Sequence, residues 1–235
     1  MRGGPTRGAA GPLALALGLL GGATVLSPAG LAQDGLTPPS GFDDITAERR
    51  RSIALFEEMG KVLTHPRCLN CHPREGGPRQ GDEMAAHQPP VVRGAGGLGA
   101  PGMRCSTCHG DANVAYATAE GGSIPGHQPW LLAPASMGWI GASLGEICEQ
   151  LKDPERNGDR SLEEIHEHNA EDGLVGWGWH PGDGRTPAPG SQEVFGQLTR
   201  AWIDTGAHCP QGRSGGQGAG RSDGKGSAGG GKGSG

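Results

Sequence analysis

The 235-residue chain has little of what an ordinary core is made from: three Phe, one Tyr and five Trp, set among 47 Gly and 19 Pro. Packing alone is thin support for a domain of this composition, which asks for a staple: disulfides, a metal or a large cofactor. Strand-like alternation of apolar and polar residues is nearly missing, which leaves a mostly α fold with long irregular loops. No segment beyond the N-terminal stretch approaches the ~18 apolar residues of a membrane span. An excess of positive charge is also lacking. Setting aside Arg2, Arg7 and the four cations and one acid of the last 25 residues, 14 Lys and Arg remain against 24 Asp and Glu. A net −10 argues against a nucleic-acid binder and suits docking on a basic face of a partner, or simply solubility.

What is present begins with a leader. Arg2 and Arg7 precede an apolar run from Pro12 to Leu26, and the small residues Gly30 and Ala32 follow. That order is a secretory signal peptide, residues 1–32, cleaved after Ala32, and it places the mature chain in the periplasm. No Cys lies near the cleavage point to take a lipid. At the other end, residues 211–235 hold twelve Gly with Ser, Lys and Arg and no large apolar residue. Such a tail buries too little surface to offset its ordering entropy and is expected to be disordered. Residues 33–210 are one domain's length.

Four of the six cysteines fall in one repeated pattern: Arg67-Cys68-Leu69-Asn70-Cys71-His72 and Arg104-Cys105-Ser106-Thr107-Cys108-His109. Cys-x-x-Cys-His is the haem-attachment signature. Two thiols three positions apart on one turn reach the two vinyl groups along a porphyrin edge, and the next residue brings an imidazole beneath the iron. Two covalent haems c are the reading. A Cys₄ zinc site would leave His72 and His109 unexplained, and an exported chain is a poor setting for structural thiolates. A thioredoxin-like pair needs a βαβ context that the sequence lacks, and disulfides within each motif would close strained loops.

On these motifs the chain resembles small periplasmic dihaem cytochromes c that act as electron-transfer subunits. Within that class it is most similar to subunits of isoquinoline 1-oxidoreductase-type molybdenum hydroxylases. The resemblance covers residues 63–210, through His65-Pro66-Arg67-Cys68-Leu69-Asn70-Cys71-His72-Pro73, Gly102-Met103-Arg104-Cys105-Ser106-Thr107-Cys108-His109 and Val175-Gly176-Trp177-Gly178-Trp179. It implies a cytochrome c-like fold wrapped around two haems, and a redox partner protein that is a molybdenum hydroxylase or another cytochrome.

Each iron needs a sixth ligand or an open position, and His/Met ligation raises the potential. The ranking is His87 first and His168 second, with His127 and Met137 behind them. His87 stands in the long Gly/Pro-rich stretch between Pro73 and Met103, which needs an anchor. His166 and His168 are two apart on one helix, so at most one of them points inward. Arg67 and Arg104 precede the two motifs at matching positions. A planar donor fork there suits a haem propionate, and a solvated surface Arg is the alternative.

Ile45, Ile53, Phe56 and Leu63 mark a helical face leading into the first motif, with Asp43 or Asp44 as its cap. Ser143-Leu144-Gly145-Glu146 and Ser161-Leu162-Glu163-Glu164 read as capping boxes, with a turn at Asn157-Gly158 between their helices. A last helix runs from Ser191 to Thr205. Cys148 and Cys209 are left over, and in an exported chain they are expected to form a disulfide. The five Trp read as core and haem-packing residues. The function that follows is single-electron transfer without a substrate pocket, and the alternative is a haem enzyme such as a dihaem peroxidase. The peroxidase reading is the weaker, because the motifs here are only 37 residues apart and the chain is short.

Overall fold

A computed structural model describes residues 35–117 and 122–212. The expected leader and residues 213–235 of the expected tail lie outside the described residues. Seven α-helices occur among those described: α1 (Glu48–Leu63), α2 (Pro66–Leu69), α3 (Leu144–Leu151), α4 (Pro154–Asn157), α5 (Leu162–Glu171), α6 (Gly173–Gly176) and α7 (Gln192–Asp204). Six two-residue strands pair as three antiparallel ribbons: β1 (Arg79–Gln80) with β2 (Ala85–Ala86), β3 (Gly99–Ala100) with β4 (Met103–Arg104), and β5 (Val114–Ala115) with β6 (Ser123–Ile124). The class is mostly helical with short strands and long loops, and no helix of the described residues is long and apolar enough to cross a membrane.

The core is a sandwich of α1, α7 and α5. Leu55, Phe56, Met59, Val62 and Leu63 recur at three- and four-residue intervals along α1 and are buried against Phe195, Leu198 and Trp202 of α7. That spacing keeps the apolar side chains on one helical stripe. Phe56 and Trp202 sit with ring centres 4.9 Å apart. Each is fully buried, a gain of about 1.5–3 kcal/mol for such a side chain. Ser52 ties the same face together by donating to the Trp202 carbonyl and accepting from the main-chain N–H of His208.

The start of α1 differs from expectation. The helix begins at Glu48 after Ala47, with no side-chain cap, because Asp43 is drawn away into an ion pair with Arg51 at 2.6 Å. Ile45 therefore precedes the helix, and Ile53 is only half-buried. The other local signals hold. Ser143 with Glu146 and Ser161 with Glu164 form reciprocal capping boxes that open α3 and α5. Asn157 closes α4, with Gly158 next in the left-handed region at φ 83°, and its buried amide bonds the carbonyls of Leu151 and Arg160. Cys148 on α3 is bridged to Cys209 beyond α7.

The stretch between Pro73 and Met103 is less structureless than its composition implies. It contains the β1–β2 ribbon, and the Arg93 guanidinium staples it to the carbonyls of Pro73 and Ala133.

Candidate functional site

The first cysteine motif follows directly from the end of α1. His65 caps α2 by accepting the Arg67 main-chain N–H on Nδ1, and Pro66 sits at the first helical position, where its missing N–H costs nothing. The turn continues through Cys71 N–H to the Cys68 carbonyl and His72 N–H to the Leu69 carbonyl, both at 3.1 Å. In the second motif a 3-10 turn over Cys105–Thr107 does the same work, with Cys108 N–H on the Cys105 carbonyl at 3.2 Å. In both places a single turn of chain separates the two thiols of a pair and places the histidine next.

The two histidines have matching surroundings. His72 Nδ1 lies 2.8 Å from the Met137 carbonyl, and His109 Nδ1 lies 2.8 Å from the Pro125 carbonyl. A carbonyl only accepts, so in each ring Nδ1 carries the proton and Nε2 holds a free lone pair. Each ring also lies flat on a tryptophan. His72 stacks on Trp139 with centres 3.5 Å apart and His109 on Trp130 with centres 4.7 Å apart, both 11° from parallel. Burial pushes the His72 imidazole down to about 3, and burial likewise lowers His109. Both are neutral at pH 7, the form that binds a metal.

One segment, residues 125–139, serves both motifs. Its carbonyls at Pro125 and Met137 and its indoles at Trp130 and Trp139 are the contacts just described. Within it Trp139 N–H donates to the His72 carbonyl, Ala133 N–H to the Cys71 carbonyl, and Leu132 N–H to the Gly97 carbonyl. Gly97, at φ 74°, approaches so closely that a Cβ there would stand 2.3 Å from the Leu132 carbonyl oxygen. Gly97 leads into Leu98, whose carbonyl accepts from Cys105 N–H at 3.0 Å. The two motifs are thereby tied to one another through a single segment.

Burial pushes the thiols of Cys68 and Cys71 up to about 12 and about 11, so neither is a thiolate at neutral pH. Arg67 is not the solvated surface residue of the alternative reading: its side chain is buried, and one nitrogen of its fork, Nη2, meets Asp82 at 2.5 Å. Its Nε, like Asn70 Oδ1 within the motif, is a buried polar atom with no partner in the described structure. Arg104 is exposed and forms no ion pair among the described residues.

Of the other histidines, His87 comes to 6.0 Å from His109, ring centre to ring centre, with the planes at 61°. The Nδ1 of His168 donates to Asp172 at 3.1 Å, and this bond holds the Asp172 carboxyl down to about 2. His127 meets Gly173, where an added Cβ would stand 2.6 Å from its Nε2. The Met137 carbonyl is on the Nδ1 side of His72, and its side chain is in the core.

The pairings of Trp130 and Trp139 with one histidine each were not legible from spacing. Only their position in a Gly/Pro-rich stretch, where an aromatic residue has few other reasons to stand, hinted at them. The carbonyls of Pro125 and Met137 carry no side-chain signal at all. Among the described residues no three His, Cys, Asp or Glu side chains converge as a metal-holding group. Comparison with family models, with curated proteins and with solved structures finds no match for this chain.

Proposed function

We propose that this chain is an exported dihaem c-type cytochrome that passes single electrons in the periplasm, as carrier or as electron-accepting subunit of a partner oxidoreductase. One observation carries the reading. In two copies of Cys-x-x-Cys-His, the histidine makes the same Nδ1–H bond to a main-chain carbonyl at 2.8 Å and stacks on a tryptophan at the same 11°. A second-shell acceptor of this kind fixes the tautomer of a metal-ligating imidazole and leaves Nε2 to the metal.

Further features support two haems. A porphyrin brings four nitrogens of its own, so its iron asks the protein for at most two ligands, and three converging side chains are not needed. Val92, Met103, Val114 and Tyr116 are the large apolar residues left exposed among those described, and all lie between residues 92 and 116, around the second motif. A porphyrin face would cover such residues. The unpaired Arg67 Nε is a donor waiting for a carboxylate such as a propionate.

When bound, haem supplies a one-electron couple at its iron. The chain's own residues then act as follows. Cys68, Cys71, Cys105 and Cys108 anchor, and His72 and His109 ligate. Trp139 and Trp130 hold the rings in place, and the carbonyls of Met137 and Pro125 raise ligand basicity. Segment 125–139 ties the two attachment turns together, which would keep two bound groups near one another and shorten the step between them. The partner is a redox protein, a molybdenum hydroxylase or another cytochrome, met by the acidic surface.

The test is production of the full chain in a bacterium with working cytochrome maturation. The expected product is red, has lost residues 1–32, carries two haems by mass and by pyridine haemochrome, and titrates through one-electron steps. A colourless product with the mass of the bare polypeptide would overturn the reading.

A further inference from the structure

The described histidines divide sharply once their partners are counted. Nδ1 of His65 caps α2, His166 meets Arg200, and His208 meets Arg49. His127 abuts Gly173, and His180 is exposed. His168 donates from Nδ1 to Asp172. One histidine remains with a free Nε2 and its ring beside that of a motif histidine: His87, against His109.

The spacing of this pair is informative. Metal–imidazole bonds are about 2 Å long, so two imidazoles sharing one metal atom stand about 6 Å apart, centre to centre. The rings of His87 and His109 are 6.0 Å apart with their planes at 61°. Edge-to-face packing gives the same spacing, and the tautomers of the two rings favour the metal. His87 is also held for the purpose. It follows β2, its neighbour Gln88 donates its main-chain N–H to Gln80 of β1, and its own Nδ1 donates to the Pro89 carbonyl at 2.9 Å. The tautomer is therefore the one that frees Nε2, as in His109.

Resting on the function proposed above, we infer that His87 is the second ligand of the iron bound by His109. That iron is then closed by paired histidines: it exchanges electrons but offers no site to peroxide or to a gaseous ligand. Paired histidines also leave its potential below that of a His/Met cytochrome.

The experiment is low-temperature electron paramagnetic resonance of the oxidised holoprotein, with carbon monoxide titration of the reduced form. Wild type shows a low-spin iron with two histidine ligands. His87→Ala turns that iron high-spin and takes up one equivalent of carbon monoxide more than wild type, and added imidazole restores the low-spin signal. His127→Ala leaves it unchanged. Should His87→Ala mature poorly, His87→Met keeps a ligand in place and raises one of the two midpoint potentials. As many low-spin irons in His87→Ala as in wild type, or unchanged potentials in His87→Met, would overturn the assignment. A protein with two haems and those results keeps the proposed function, whereas a protein without haem loses both.

Discussion

The imidazole of His72 lies flat on the indole of Trp139, and the Trp139 main-chain N–H donates back to the His72 carbonyl at 2.8 Å. Ring and backbone are thus held by the same residue, whose indole N–H is in turn bonded to the buried Gln150 amide. Trp139 is 6 % exposed, so Trp139→Ala should cost about 3–5 kcal/mol. Trp139→Phe keeps a ring under His72 but strands the Gln150 oxygen, a loss of about 1–3 kcal/mol. Chemical denaturation followed by tryptophan emission and far-ultraviolet dichroism measures both. If Trp139→Phe proves as damaging as Trp139→Ala, the stack is not what holds the ring.

The Arg67–Asp82 pair gives a pH dependence of definite sign. The Asp82 carboxyl is held below its ordinary 3.8 first by the Thr186 hydroxyl, with Arg67 adding to the effect. A carboxyl lowered in the folded state stabilises above its ordinary value, and that stability is lost as pH falls through the ordinary value toward the folded one. Asp82→Asn should therefore cost about 1–3 kcal/mol at pH 7. This is less than a fully buried pair, because the Asp82 side chain is 39 % exposed while that of Arg67 is 1 % exposed. The gap between wild type and variant should narrow as pH falls through 3.8 toward the lower folded value. Urea titrations at pH 7 and pH 3 decide it, and a gap that stays constant with pH would show that the charge is not involved.

Much of this architecture was legible before any coordinates. The capping boxes at Ser143 and Ser161, the Asn157-Gly158 turn and the stripe of α7 are local, set by residues three or four apart, and local rules read them. The two motifs were legible for the same reason. The start of α1 was not, because Asp43 had two partners open to it, and the ion pair with Arg51, eight residues away, outcompeted the cap. The Asp82 partner of Arg67 was hidden for a similar reason: it stands fifteen residues off, in a loop whose path the sequence does not specify. The segment 125–139 was the hardest to see. It acts mostly through carbonyls and main-chain N–H groups, which every residue carries.

Reduction should open one covalent link and no more. The Cys148–Cys209 bridge spans 61 residues, and by the loop-entropy estimate its loss costs about 4 kcal/mol, with about 2–4 typical of disulfides. In the holoprotein, alkylation after reduction and denaturation should label Cys148 and Cys209 alone, since thioethers are not reduced. The melting temperature falls while the haem spectrum at room temperature stays unchanged. Labelling of any of Cys68, Cys71, Cys105 or Cys108 in mature red protein would contradict the anchoring assigned to them.

The two halves of the site should differ in how far they depend on the bound group. His72 rests against Trp139, which is buried in the same core cluster as α1 and α7. His109, by contrast, stands in a stretch of two-residue strands along which Val92, Met103, Val114 and Tyr116 are exposed. Regions with few buried apolar contacts open locally at little cost. Replacing Cys105 and Cys108 by Ser should therefore speed amide exchange by roughly 10–100-fold across residues 92–116. Amides of α1, α5 and α7 should keep their wild-type protection, because their packing runs through Phe56, Phe195, Leu198 and Trp202 and touches none of that region. Hydrogen exchange read by mass spectrometry resolves the two. Loss of protection in α7 alongside the loop would mean that the helical core is itself built on the second haem, against the packing described above.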